Sequence, residues 1–212
     1  MRLHRAALRV LLWIGAVLPA VWLAVDFLRD RLGANPIEEV LHRLGWWGLV
    51  FLTISLAISP VRRLTGWNRL IRYRRFVGLC AFAYVTAHFL AYIVLDQFFA
   101  WSYIIEDIVE RPFIMSGFAA WLLLIPLAIT STKGWIRRLG KRWAKLHRLA
   151  YVAGLLGVLH YYWKVKADTR EPLVFALVLL VLLLLRTPAV RRWMAAVQAA
   201  ARARTTNAAN SL

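Results

Sequence analysis

Apolar residues fall in six long runs, at 7–28, 41–59, 76–95, 113–129, 146–163 and 173–185, separated by short polar stretches. A helix needs about 20 apolar residues, within a range of about 17–25, to cross a bilayer. The first and third runs meet that length. The sixth is shorter, but Arg186 can snorkel from its end while the helix continues toward Thr187. Pro60, Pro112, Pro172 and Pro188 stand at the boundaries of runs, where a missing backbone N–H does least harm. The pattern predicts an all-α polytopic membrane protein. It is a six-helix transmembrane bundle over residues 1–200, with a small, polar tail over 201–212 that is expected to be disordered. Arg2, Arg5 and Arg9 ahead of the first run also fit a secretory signal. That run exceeds the usual apolar core of about 7–15 residues and lacks a small-x-small cleavage site, so a retained helix is expected.

Charge adds the orientation. Arg2, Arg5 and Arg9 precede the first run. Arg62, Arg63, Arg69, Arg72, Arg74 and Arg75 follow the second, and Lys133, Arg137, Arg138, Lys141, Arg142 and Lys145 follow the fourth. Arg186, Arg191, Arg192, Arg202 and Arg204 follow the sixth. These stretches contain no acid, and six crossings put all of them on one side. The ten acids, from Asp26 to Glu171, fall on the other. The positive-inside rule makes the basic side cytoplasmic, with both termini there.

Composition agrees with a membrane protein and excludes two alternatives. The chain is 61% hydrophobic with 11 Trp, against about 45–50% apolar in an ordinary soluble domain. A net charge of +18 would suit a nucleic-acid binder only as a basic face on a polar domain. Here the bases sit between apolar runs, so no nucleic-acid partner is expected and membrane lipid is. Cys80 is the single cysteine, which removes disulfide and thiolate-metal chemistry. Trp46, Trp47, Trp101, Tyr103, Trp135, Trp143 and Trp163 suit the aromatic belts of the two interfaces.

His42 stands at the polar start of its run, which leaves His88, His147 and His160 as the histidines to weigh. A histidine within a bilayer is costly unless partnered, so each is a candidate for function. His88 sits thirteen residues after Arg75, and His160 fifteen residues after Lys145. At 1.5 Å per residue both lie about 20 Å from the cytoplasmic face, in the outer half of the membrane. Matching depth on two parallel helices suits a haem iron clamped between two axial imidazoles, an arrangement for electron transfer. The alternative is that each histidine hydrogen-bonds a neighbouring helix.

His147 lies near the cytoplasmic interface, and its counterpart at that depth on the third helix is Arg74 or Arg75. A singly ligated second haem, a quinone contact and a plain interfacial histidine all stay open for it. Gly154 and Gly157, between His147 and His160, permit a kink or the close approach of a planar ring. The basic loops set topology, and one or two of their arginines, Arg74 and Arg75 among them, can meet a haem propionate, a flavin phosphate or anionic lipid. His4 and His42 carry no assigned chemistry. No Gly-rich phosphate loop or dinucleotide fingerprint is found, so the electron donor is expected to be a separate molecule.

Three stretches are specific together: ISPVRRLTG (58–66), RYRRFVGLCAFAYVTAHFLAY (72–92) and TSTKGWIRRLGKRWAKLHRLAYVAGLLGVLHYYWKVK (130–166). With Arg111-Pro112 before the fourth run, they resemble the MsrQ (YedZ) family. Its members are haem-binding membrane subunits of the periplasmic methionine sulfoxide reductase system, within the wider ferric-reductase-like group. The resemblance implies haem b, an associated FMN, and electrons passing from quinol, or a separate flavin reductase, to a periplasmic molybdenum-containing catalytic subunit. His88 and His160 match the family's outer ligand pair. His147 matches one member of an inner pair whose other position is Arg74 or Arg75 here. The chain would then be a redox subunit with no sulfoxide chemistry of its own. A metalloreductase-like subunit reducing external ferric or cupric ions is the alternative from the same group. A histidine-relay transporter is the alternative from another class, but no inverted repeat and few intramembrane acids support it.

Overall fold

Each apolar run becomes a helix, and the residues beside it decide where that helix starts and stops. The computed structural model describes residues 2–165, 167–190, 192, 194 and 196. In chain order the helices are α1 (Arg2–Leu28), α2 (Pro36–Thr65), α3 (Arg74–Ala91), α4 (Trp101–Glu110), α5 (Pro112–Ile129), α6 (Lys133–Leu139), α7 (Lys141–Leu146), α8 (Leu149–Lys164) and α9 (Arg170–Leu184). A 3₁₀ turn, Asn68–Tyr73, leads into α3, and a π-helical turn, Tyr92–Asp96, leaves it. Helices α1, α2, α3, α5, α8 and α9 correspond to the six runs. The short helices α4, α6 and α7 occupy what the hydrophobic pattern left as loops. The expected tail, 201–212, and Arg191 lie outside the described residues.

Four stretches, Val10–Leu28, Pro36–Thr65, Asn68–Asp96 and Pro112–Ile129, are long and apolar enough to cross a membrane. Helices α8 and α9, at 16 and 15 residues, are shorter. The chain is an all-α membrane protein. Its lipid-like exterior is clearest on α1, where Leu11, Trp13, Leu18, Trp22 and Leu28 are all more than half exposed.

Helix α2 shows how local chemistry sets these bounds. Asn35 Oδ1 accepts from the Glu38 N–H at 3.2 Å, Pro36 takes the first helical position, and Glu38 and Glu39 complement the helix dipole. At the other end Gly66, at φ 70°, donates its N–H to Arg62 O at 3.0 Å. Pro60 therefore lies inside the helix, not at its boundary as the hydrophobic pattern suggested. A proline there removes the N–H that would bond the carbonyl four residues earlier, on Leu56. Arg186, just after α9, donates from Nη2 to Leu56 O and from Nη1 to the Tyr151 hydroxyl. The freed carbonyl has a donor from another helix, which is why α2 continues past the proline.

The core forms where α2 packs on α3 and α5 packs on α8, with α9 against α8 and α2. Leu56, Ala81 and Ala153 are almost fully buried at its centre. Small residues let the backbones approach: a Cβ on Gly48 would stand 2.7 Å from Val85 Cγ2. Gly154 faces Leu56 and Leu179, and Gly157 faces Leu49, where a Cβ would make only ordinary van der Waals contact. Helix α1 is held from α3 by Tyr84. Its hydroxyl donates to Ala16 O at 2.7 Å and accepts from Ala20 N at 3.1 Å, one turn apart beside Pro19.

A second departure falls in the fifth run. The stretch from Trp143 to Trp163 is not one helix, because α7 ends at Leu146 and α8 begins at Leu149. Between them the Arg148 N–H turns back to Lys145 O at 3.1 Å. His147 stands at this break, where its side chain bonds Thr130 just past the end of α5, as described next.

Candidate histidine centre between two helix pairs

His88 lies in the last turn of α3 and His160 in the last two turns of α8, and the two helices bring the imidazoles together edge to face. Their ring centroids are 6.0 Å apart and their planes 77° apart. Each ring is held by a backbone carbonyl: His88 Nδ1 is 2.8 Å from Leu41 O, and His160 Nδ1 is 2.7 Å from Phe113 O. A carbonyl only accepts, so Nδ1 carries the proton in both rings, and each neutral ring keeps its Nε2 lone pair. Metal-bound histidines are generally oriented in this way, by a carbonyl or carboxylate on the other nitrogen.

Two glycines make room for the rings. A Cβ on Gly45 would lie 3.2 Å from His88 Nδ1, and one on Gly117 would lie 2.7 Å from His160 Nδ1. The two half-sites repeat one another. Each histidine follows its carbonyl partner by 47 residues, and each glycine follows that partner by one helical turn. The interval that carries His88 onto His160 also carries Arg75 onto His147.

Among the described residues no group of three or more His, Cys, Asp or Glu is placed to hold a metal ion. Two imidazoles cannot fill a coordination sphere, so an iron here must bring further donors with it, as a porphyrin does. Two metal–imidazole bonds of about 2 Å each, added to half of each ring, span roughly the observed separation. The donor set fits haem iron with two axial imidazoles.

His147 is not brought into this pair. Its Nε2 is 3.1 Å from Thr130 Oγ1, which already donates to Pro126 O at 2.6 Å. Nε2 is therefore the donor in that bond. The ring stacks on Trp143 at 3.9 Å, and Trp143 Nε1 donates to Thr130 O at 2.9 Å. Arg74 is half-buried, with Nη1 3.4 Å from Ser59 Oγ, and Arg75 is exposed. His42 lies beside the other end of the pair, with its ring 5.8 Å from that of Tyr161. It lines a cleft of about 210 Å³ with Glu39, Arg43, Trp46, Trp47 and Glu171.

Sequence reasoning located both imidazoles but missed what orients them. No residue type marks the carbonyls of Leu41 and Phe113. The available signal was a glycine one turn beyond each, inside an apolar helix where glycine is otherwise unfavourable.

The family of ferric reductase like transmembrane components matches residues 44–158, which reach from beside Gly45 almost to His160. The chain is 56% identical over 186 residues to the protein-methionine-sulfoxide reductase heme-binding subunit MsrQ of Rhodospirillum rubrum, covering 87% of this chain and 89% of that protein. It is 52% identical to the same-named protein of Xanthomonas oryzae pv. oryzae, over 85% of this chain and 81% of the relative. It is 48% identical to that of Caulobacter vibrioides, over 86% and 87%. No solved structure matches the chain. The chain belongs to the ferric-reductase-like transmembrane family and, within it, to the MsrQ haem-binding subunits.

Proposed function

We propose that this protein is the membrane electron-transfer subunit of a protein-methionine-sulfoxide reductase, with haem b held between His88 and His160. The observation that carries this is the pair of imidazoles fixed by Leu41 O and Phe113 O. The haem-binding role named for its relatives supports it. Iron held there by His88 and His160 would supply one-electron redox chemistry, which suits electron transfer. The chain's own part is to keep both Nε2 lone pairs aimed inward, to exclude water with the surrounding apolar helices, and to set the site near the acid-bearing end of the bundle. That end is taken as periplasmic, where the sulfoxide-reducing partner docks.

The six-span arrangement with cytoplasmic termini follows from the basic loops, with α8 and α9 completing the bundle in the inner membrane. The molybdenum in the partner, a quinol or flavin-reductase donor, and FMN rest on the family resemblance alone. For His147 the bond to Thr130 and the stack on Trp143 favour an interfacial structural role.

A dithionite-reduced minus oxidised spectrum of the purified protein tests the proposal. A b-type haem signal is expected, lost in His88→Ala and in His160→Ala and kept in His4→Ala. Wild-type haem content in His160→Ala would overturn the ligand pair. Fast reduction of ferric ions by the quinol-reduced protein, with no transfer to the catalytic subunit, would favour a metalloreductase.

A further inference from the structure

Helix α4 has 10 residues and so is about 15 Å long, roughly half of what a bilayer core needs. It cannot cross a membrane, yet it joins two stretches that can, Asn68–Asp96 and Pro112–Ile129. Its side chains sort into three stripes at the i, i+3 and i, i+4 spacings that mark one helix face. Ile104 and Asp107 turn inward and are buried, with Ile108 half-buried beside them. Trp101, Ile105 and Val109 form a second stripe, and Ser102, Glu106 and Glu110 form a third. Both of these stripes are exposed.

Buried hydrogen bonds fix the roll of this helix. Asp107 accepts from the Tyr92 hydroxyl at 2.9 Å on one oxygen and from Arg111 Nε at 3.0 Å on the other. Tyr92 caps α3 and Arg111 opens α5, so one carboxylate ties α4 to both of its neighbours. Rolling the apolar stripe inward would break both bonds and cost the carboxylate its partners. The turn before α4 also holds apolar groups outward. Phe98 and Phe99 take left-handed backbone angles, φ 47° and 61°, which are uncommon for bulky residues. Bonds from Phe99 N–H to Ile93 O and from Ala100 N–H to Gln97 O, both 2.9 Å, close that turn. Phe98, Phe99, Trp101, Tyr103, Ile105 and Val109 are all more than half exposed. A run of large exposed groups this dense marks an interaction surface.

The flanking stretches show what covers it. Leu90 and Val94 near the end of the first, and Met115 and Leu122 in the second, are exposed on segments long and apolar enough to sit in lipid. The apolar stripe of α4 continues that lipid-facing surface at the acid-bearing end, where Trp and Tyr suit the headgroup level. The parallel stripe with two carboxylates suits water.

We propose that α4 lies in the plane of the membrane–water interface at the acid-bearing end of the bundle, with a phospholipid leaflet as its partner. The Trp101–Ile105–Val109 stripe, with Phe98 and Phe99, enters the acyl boundary, and the Ser102–Glu106–Glu110 stripe faces water. Asp107 holds this roll. The acidic stripe favours zwitterionic over anionic headgroups, since like charges repel. This contact depends neither on haem nor on the function proposed above.

Full-length haem-loaded protein in phosphatidylcholine nanodiscs provides the test. In a Cys80→Ala background, one nitroxide at a time is attached at Ile105→Cys, Val109→Cys, Glu106→Cys or Glu110→Cys. Relaxation by oxygen, which collects among acyl chains, is compared with relaxation by a water-soluble nickel chelate. Leu122→Cys and Arg138→Cys serve as the lipid and water references. The oxygen-to-nickel ratio is expected to be severalfold higher at positions 105 and 109 than at 106 and 110, with haem content unchanged. Equal ratios at all four positions would overturn the proposal, as would nickel access at 105 and 109 matching that at 138. Shielding of 105 and 109 only after the catalytic subunit is added would also overturn it and assign the stripe to a protein partner. Tyr92→Phe, which takes one bond from Asp107, should narrow the difference between 105 and 106. A difference unchanged in both Tyr92→Phe and Asp107→Asn would overturn the part given to Asp107.

Discussion

A methyl group at residue 117 would stand 2.7 Å from His160 Nδ1, closer than side chains tolerate, whereas one at residue 45 would stand 3.2 Å from His88 Nδ1. Gly117→Ala should therefore push the His160 ring off Phe113 O, while Gly45→Ala needs a shift of only a few tenths of an ångström. Loss of an orienting partner typically costs about 10–100-fold in metal affinity. The haem-to-protein ratio after titration should fall by about that factor in Gly117→Ala and by clearly less in Gly45→Ala. Equal losses would mean that room for the ring is not what these glycines provide. At this scale the sequence showed the two imidazoles, because a histidine deep in an apolar run stands out by cost alone. It did not show Leu41 and Phe113, because every residue has a carbonyl and only the fold selects which one faces a ring. Nor did it separate His147 from a ligand role, since the Thr130 hydroxyl that occupies its Nε2 comes from the residue just past α5.

At the scale of elements, the six apolar runs marked six helices, and the misplaced boundaries have tertiary causes. Pro60 reads as a stop signal until Arg186, 130 residues away, supplies the donor for the carbonyl it frees. Arg186→Gln should lower stability by about 1–3 kcal/mol, the usual cost of an unsatisfied buried group. In Pro60→Ala a backbone N–H returns to Leu56 O, so the double variant should lose clearly less than the sum of the two singles. Strict additivity in thermal or denaturant unfolding would show that the two residues do not act on one carbonyl. Tyr84→Phe, which removes the bridge between Ala16 and Ala20 in α1, should cost about 0.5–1.5 kcal/mol. It should leave the haem spectrum untouched, because the Tyr84 hydroxyl bonds α1 while the two rings are held by Leu41 O and Phe113 O. The break between α7 and α8 was illegible for the same kind of reason. The apolar period runs straight through it, and the contacts of His147 with Thr130 and Trp143 at the break are not marked by any residue type.

For the molecule as a whole, charge asymmetry made orientation the most legible feature, because it depends on loop composition and not on packing. It can be checked in a Cys80→Ala background. A membrane-impermeant thiol reagent should label Ser102→Cys in intact cells with a permeable outer membrane, and should label Arg138→Cys only after lysis. Labelling of residue 138 in intact cells would invert the assignment. The repeat of carbonyl, glycine and histidine in α2–α3 and α5–α8 was present in the sequence but had no visible meaning there. Its equal 47-residue separations matter only once both carbonyls are seen to hold a ring.

The bond from Arg186 to Leu56 also orders events in time. During synthesis α2 emerges early with a carbonyl that its own helix cannot satisfy, and the donor for it follows the last of the six apolar runs. Chains halted before residue 186 would carry both histidines and yet leave α2 unlatched. Completion of the chain is in this way coupled to closure of the helix bundle around the centre it carries.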